Sequence, residues 1–165
     1  MINGIHHTAI ATHDIHRIVS FYVDVIGFSV VSRGGWDPGL ADFDRLLDLE
    51  NSSAKVVTLQ AGNSFLEIFE YLTPRGVAKD PNYPVCDTGH THIGLNVTGI
   101  DAEYERLLAS GMRFHSPPID VGPPGTLRAT YGRDPDGNVI ELVEIFSAQH
   151  PLYLEKAPKR QFAGD

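Results

Sequence analysis

Alternating hydrophobic and polar residues recur along the chain and predict short β-strands. These runs cover residues 5–12, 28–32, 55–60 and 63–71 in the first half, and 91–97, 112–115, 126–132 and 139–146 in the second. Two other stretches space their hydrophobic residues as one face of a helix. The first starts at Asp14, a typical helix-capping residue, and stops at Gly27, and the second covers residues 101–110. Each half therefore has the order strand, helix, three strands, and the pattern predicts an α+β fold.

The two halves also repeat in sequence. HTAI at residues 7–10 is echoed by HIGL at 92–95, and LEIFE at 66–70 by IELVE at 140–144. Each half thus has a His in its first strand and a Glu in its last. The separation is 60 residues in the first half (67 − 7) and 49 in the second (141 − 92). We place the extra residues of the first half at 34–51, which contain a short helical pattern at 43–47. An insertion there predicts a lid or loop beside a site.

Four polar residues, His7, Glu67, His92 and Glu141, stand within these apolar strands. Burying an unpaired charge or imidazole in such a strand is costly. Because strand side chains alternate between faces, the apolar neighbours pack on the helices while the His or Glu faces a cavity. One cation would satisfy all four side chains. The pattern therefore predicts a metal site.

Each of these residues also has an ordinary explanation. A single His in a strand is more often a hydrogen-bonded residue than a ligand, and a single mid-strand Glu often faces solvent. The matched repetition favours the shared cation. Two imidazoles and two carboxylates suit one divalent ion, namely Zn²⁺, Ni²⁺, Co²⁺, Mn²⁺ or Fe²⁺, with coordination positions left for substrate oxygens.

Composition narrows the class of protein. The chain has 165 residues, 18.1 kDa and a net charge of −8, without the basic stripe that nucleic-acid binding needs. No apolar run approaches the roughly 18 residues of a membrane span, and no signal peptide is visible. Cys86 is the single cysteine, which excludes an intramolecular disulfide and a cysteine-based zinc site. We expect a cytoplasmic protein with one domain over residues 1–146, a linker at 73–89 and a weakly periodic tail at 147–165.

The motifs resemble those of the vicinal oxygen chelate superfamily, the group of glyoxalases, bleomycin-resistance proteins and extradiol dioxygenases. The matching stretches are HTAI at 7–10, FYVDVIGF at 21–28, FLEI at 65–68, HIGL at 92–95 and DPDGNVIEL at 134–142. The resemblance implies two tandem βαβββ modules, at about residues 4–72 and 90–146, whose mixed sheet curls around a metal cavity. It also implies a homodimer.

The resemblance assigns His7, Glu67, His92 and Glu141 to the four metal positions of the family. His6 is expected to point away from the site, His90 to share the face of His92, and His115 to be an ordinary surface residue. Six further residues are candidates for lining a substrate pocket: Trp36, Phe43, Phe69, Tyr71, Arg128 and Tyr131.

A complete His/Glu/His/Glu set resembles the isomerase and lyase branch, with glyoxalase and methylmalonyl-CoA epimerase. In that branch a carboxylate beside the metal moves a proton next to a carbonyl group. Glu67 and Glu141 are then ligands and candidate catalytic bases, and the likeness to glyoxalase favours Glu141. The turn at 133–138 resembles the turn that glyoxalases and dioxygenases share and not the turn of the epimerase. Two alternatives stay open, an Fe²⁺ or Mn²⁺ extradiol-type dioxygenase and a non-catalytic protein that binds a small molecule such as an antibiotic.

Overall fold

The computed structural model describes residues 1–155, which form two compact units. The first unit runs from Met1 to Ala78, and the second starts at Lys79 and contains the remaining described residues. Each unit has its own sheet. The boundary falls in the region predicted as the linker.

The first unit contains a four-stranded sheet in the order β1-β4-β3-β2. Its strands are β1 (His7–Ala11), β2 (Ser29–Trp36), β3 (Ser53–Ala61) and β4 (Ser64–Thr73). β1 pairs with β4 in parallel, and the other pairs are antiparallel. Alternation along β4 buries Leu66 and Ile68 while Glu67 stays partly exposed on the opposite face.

Two helices complete this unit. In α1 (Ile15–Ser20), the Asp14 side chain accepts a hydrogen bond from the amide of Arg17 and caps the helix, as predicted. The chain continues as a π-helical segment, Phe21–Ile26, and ends at Gly27, whose φ of 94° suits glycine. The wider π turn buries Phe21, which the 3.6-residue pattern did not predict. A short helix, α2 (Ala41–Leu47), lies in the expected insertion.

The second unit contains a sheet in the order β5-β9-β8-β6, with β7 also paired to β8. Its strands are β5 (His92–Asn96), β6 (Arg113–Phe114), β7 (Ile119–Asp120), β8 (Leu127–Arg133) and β9 (Val139–Ile145). β5 and β9 are parallel, and β9 is antiparallel to β8. This repeats the parallel contact between the first and last strands of the first unit.

Helix α3 (Ile100–Ala109) buries Ile100 and Leu107, each 1% exposed, whereas Leu108, predicted on the same side, is exposed. Its first two amides, those of Gly99 and Ile100, donate to the carboxylate of Glu144 on β9. A carboxylate from a distant strand therefore caps this helix, which favours negative charge at its N-terminus.

The structure confirms an α+β fold with two mixed sheets and few helices. Two features differ from the strand predictions. β2 runs on to Trp36 because it pairs with β3 along its length, and β7 was missed because two residues carry no periodicity. Of the predicted tail, residues 147–153 form two successive turns, and residues 156–165 lie outside the described residues.

Among residues 1–155, no helix is both long and apolar enough to cross a bilayer. The expected cytoplasmic location stays a prediction.

Candidate functional site

The first unit brings His7 and Glu67 together. His7 starts β1 and Glu67 lies in the middle of β4, where the partner of Glu67 is Ala9. Nε2 of His7 lies 3.5 Å from Oε2 of Glu67, and the two side chains keep 42% and 27% of their surface exposed. The pair is therefore accessible to a ligand from solvent.

The second unit repeats this arrangement. His92 starts β5, and Gly94 is the partner of Glu141 on β9. Nε2 of His92 lies 3.2 Å from Oε2 of Glu141, with 29% and 21% of the side chains exposed. In both sheets the Glu stands opposite the residue two positions after the His. The internal repeat is thus preserved at the level of strand register.

The other ring nitrogen of each His also has a partner. Nδ1 of His7 lies 3.0 Å from Nδ1 of His6, and Nδ1 of His92 lies 2.8 Å from Oγ1 of Thr91. The expectation that His6 points away is therefore wrong. His6 precedes the first residue of β1, so the alternation of strand faces does not bind it.

The Nε2–Oε2 distances fit two ligand atoms bound to one cation. Ligands bound at about 2.0–2.2 Å with tetrahedral to octahedral angles lie about 2.8–3.5 Å apart, a range that includes both observed separations. Imidazole nitrogen and carboxylate oxygen are also suitable ligand types. Each unit contains one such pair. Residues 1–155 contain no cluster of three or more His, Cys, Asp or Glu side chains able to hold an ion.

Tyr131 lies beside the pair of the second unit. It faces Glu141 across β8 and β9, and its ring centre is 4.9 Å from that of His92. Burial raises the pKa of the Tyr131 phenol, and the charge of Glu141 adds to the rise. The phenol is therefore a neutral hydrogen-bond donor beside the carboxylate.

His115 also lies near Tyr131, with a ring-centre distance of 6.4 Å. Its Nε2 accepts a hydrogen bond from Nε of Arg133 at 3.1 Å. Burial lowers the pKa of His115, and the positive charge of Arg133 lowers it further. His115 was expected to be an ordinary surface residue, and it is exposed, but these contacts show that it belongs to a side-chain network.

Aromatic side chains extend from the pair of the first unit. Phe69 and Tyr71 follow Glu67 at alternate positions of β4 and share its face, and their rings stack 5.7 Å apart. Trp36 contacts both rings and stacks on Phe43 of α2 at 4.9 Å. These four candidate pocket residues therefore form one cluster.

Arg128 does not belong with the other candidates. Its guanidinium pairs with Asp101 on α3 and donates to the carbonyl oxygen of Pro118. On β8 it occupies the face opposite to Tyr131, because the two residues are three positions apart. Arg128 thus ties helix α3 to the sheet.

Known proteins resemble this chain over most of its length. YaeR, an uncharacterized protein of Escherichia coli, is 27% identical over 149 residues, which cover 87% of this chain and 97% of YaeR. A glyoxalase family protein from Bacillus cereus has a similar structure, with a TM-score of 0.76 at 21% identity over 89% of this chain and 97% of that one.

An antibiotic binding protein, TnmS3 from Streptomyces, also shares the fold, with a TM-score of 0.58 at 18% identity over 87% of this chain and 97% of TnmS3. The fold therefore occurs both in proteins named for enzymes and in a protein named for binding. The family model of the Glyoxalase/Bleomycin resistance protein/Dioxygenase superfamily matches residues 4–142. Sequence motifs, fold and family match agree, and the chain belongs to this superfamily.

Proposed function

We propose that the protein is a metal-dependent enzyme of the isomerase or lyase type, acting on a small carbonyl compound. His7, Glu67, His92 and Glu141 hold one divalent cation. The observation that carries the proposal is the repeated pair, with the same strand offset and Nε2–Oε2 distances of 3.5 and 3.2 Å.

The cation would act as a Lewis acid that polarises a substrate carbonyl. The chain supplies the other parts of the reaction. Glu141 accepts the proton next to the carbonyl and returns it, because its carboxylate is 21% exposed and can reach a bound substrate. Glu67 occupies the corresponding position of the first unit and is the second candidate base.

Tyr131 supports this role of Glu141. Tyr131 is the partner of Glu141 on the neighbouring strand. Its phenol donates a hydrogen bond to a substrate oxygen on which negative charge develops. The aromatic cluster of Trp36, Phe43, Phe69 and Tyr71 would form an apolar wall for a substrate bound at the pair of the first unit, since Phe69 and Tyr71 share the face of Glu67.

Metal binding tests the first half of the proposal. Chelator-treated protein is titrated with Co²⁺, whose visible spectrum reports its ligands, and we expect one ion per chain. His7→Ala and His92→Ala should each weaken binding by at least about tenfold, the lower end of the loss caused by disturbed ligands. Glu70→Gln is the matched control, since Glu70 lies on the opposite face and pairs with Lys55. Unchanged binding in both His variants contradicts the site.

Proton exchange tests the second half. The metal-loaded protein is incubated in D₂O with α-hydroxycarbonyl, hemithioacetal and thioester compounds, and loss of the α-proton signal is followed by NMR. We expect exchange that Glu141→Gln lowers by about 100-fold or more, the contribution of a general base. If iron-loaded protein instead consumes oxygen with catechols, the dioxygenase alternative holds. Tight binding of an aromatic ligand by metal-free protein, without exchange, favours the binding protein.

A further inference from the structure

Both proposed histidine ligands contact the side chain of the residue just before them. His6 lies against Nδ1 of His7 at 3.0 Å, and Thr91 against Nδ1 of His92 at 2.8 Å. The two partners are chemically different, an imidazole and a hydroxyl, but they occupy the same place in the repeat. In both units the nitrogen left over, Nε2, is the one that faces the carboxylate.

The choice of ring nitrogen matters for a ligand. A neutral imidazole carries its proton on one nitrogen and a lone pair on the other, and only the lone pair binds a cation. When Nδ1–H of His7 donates to Nδ1 of His6, the lone pair stays on Nε2. When the hydroxyl of Thr91 accepts from Nδ1–H of His92, the lone pair of that ring likewise stays on Nε2. Metal-binding histidines generally need such a partner to set their tautomer and orientation.

His6 is itself held in place. Its carbonyl oxygen accepts hydrogen bonds from the hydroxyl of Ser64 at 3.0 Å and the amide of Phe65 at 3.3 Å. Its ring stacks on that of Phe65, with centres 5.2 Å apart and planes 30° apart. The backbone and the ring of His6 are thus both restrained, although the residue is exposed.

Thr91 is restrained in a comparable way. Its carbonyl oxygen accepts a hydrogen bond from the hydroxyl of Tyr83 at 3.4 Å. Tyr83 is 7% exposed, and its ring is covered by Nζ of Lys79 at 3.2 Å and by the guanidinium of Arg133 at 5.0 Å. In each unit a hydroxyl from a neighbouring segment therefore anchors the backbone of the residue that precedes the ligand.

We propose that His6 and Thr91 are positioning residues that select the tautomers of His7 and His92 and direct each Nε2 toward a bound cation. This inference rests on the proposed metal site and adds one residue in each unit to it. Neither residue contacts the cation. Their contribution is to avoid the cost of ordering a free imidazole when the ion binds.

Conservative variants separate this role from packing. Thr91→Val keeps the shape of the side chain without its hydroxyl, and Thr91→Ser keeps the hydroxyl. His6→Phe keeps a ring against Phe65 without an acceptor, whereas His6→Asn places an acceptor oxygen at the position of Nδ1. The readouts are the Co²⁺ dissociation constant, the Co²⁺ spectrum and the melting temperature of metal-free protein, with His90→Ala as an exposed control.

We expect Thr91→Val and His6→Phe to weaken Co²⁺ binding by about 10- to 100-fold, the usual effect of losing a partner of a ligand. Thr91→Ser and His6→Asn should bind within a few-fold of the unmodified chain, and all metal-free melting temperatures should stay similar. If Thr91→Val and His6→Phe bind Co²⁺ as tightly as the unmodified chain, the inference is overturned while the metal site stands. Equal losses in the conservative and disruptive variants also overturn it, and an unmodified chain that binds no Co²⁺ refutes the proposed function itself.

Discussion

Gly94 leaves the space in which the carboxylate of Glu141 lies. A Cβ at this position would be 3.4 Å from Oε2 of Glu141, at the limit of ordinary van der Waals contact, and a branched side chain would reach further. Ala9 occupies the same place opposite Glu67. Small residues beside both carboxylates therefore allow them to face the histidines.

We expect Gly94→Val to displace Glu141 and weaken metal binding by about tenfold or more, as disturbed ligand orientation does. The fold should persist because Gly94 is exposed. Co²⁺ titration and circular dichroism measure the two effects. Asn96→Ala, two residues further along the same face, is the control and should bind as the unmodified chain does. If Gly94→Val binds Co²⁺ as tightly as the unmodified chain, Glu141 does not need this space.

His115 makes stability depend on pH. Since burial and Arg133 lower its pKa, the folded protein binds fewer protons at this site than the unfolded chain does. The contribution of His115 is therefore fully present above its ordinary pKa of about 6.5 and is lost as the pH falls below that value.

We therefore expect the unmodified chain to lose unfolding free energy relative to the His115→Gln variant as the pH falls from 7 to 5. Urea denaturation at several pH values measures it. NMR titration of His115 should give a midpoint below the ordinary histidine value of about 6.5. A midpoint at or above about 6.5 would contradict the prediction.

At the scale of elements, α2 is connected to the sheet through Asp44. Its carboxylate accepts hydrogen bonds from the amides of Asn51 and Ser52 at 2.9 and 2.7 Å. The buried hydroxyl of Ser52 accepts one from Nε1 of Trp36 at 3.0 Å. The Asp44 carboxylate accepts hydrogen bonds from Ser52, of which the one from the side chain has the largest effect and the one from the amide the next. These bonds hold the pKa of Asp44 below its ordinary value. One carboxylate thus orders the inserted segment and orients the indole.

We expect Asp44→Ala to loosen this segment while the sheet is kept. Trp36 is the single tryptophan of the chain, so its fluorescence reports the change. Emission should shift to longer wavelength and acrylamide quenching should increase. Asp42→Ala is the control, because Asp42 lies on the same helix and pairs with Arg45. Identical quenching in the two variants would mean that Asp44 does not hold the indole.

At the scale of the molecule, the described residues divide into two units that meet in sequence at Ala78 and Lys79. Residues 74–82 are exposed throughout and form no strand. Exposed segments without backbone pairing are preferred sites of proteolysis. The homodimer implied by the family resemblance stays a prediction, and light scattering should give twice 18.1 kDa if it holds.

Trypsin should first cut the folded protein after Arg75, within this exposed segment. Arg128 and Arg133 should resist, because both lie in β8 between paired strands. Mass spectrometry of early digests identifies the fragments, and Arg75→Gln should delay the first cut. An initial cut inside β8 would show that the second sheet opens before the linker is attacked.

Much of the fold was predictable because its signals are local. The strands with His7 and His92, the buried face of α1 and the cap at Asp14 all follow from residues a few positions apart. Other features depend on distant partners. Glu144 caps α3 from 44 residues away, and β7 exists because β8 lies beside it. No local pattern reports such pairings.

The sequence by itself determined that the chain has two similar halves, each with one His and one Glu in apolar strands, because repetition and alternation are written in residue order. Only the tertiary structure decided which atoms meet within each half. The register of β1 on β4 and of β5 on β9 brings each Nε2 within 3.5 Å of its carboxylate, and Nδ1 of His6, just before β1, lies 3.0 Å from Nδ1 of His7. Strand register and side-chain direction depend on packing between distant segments, which neighbouring residues do not specify.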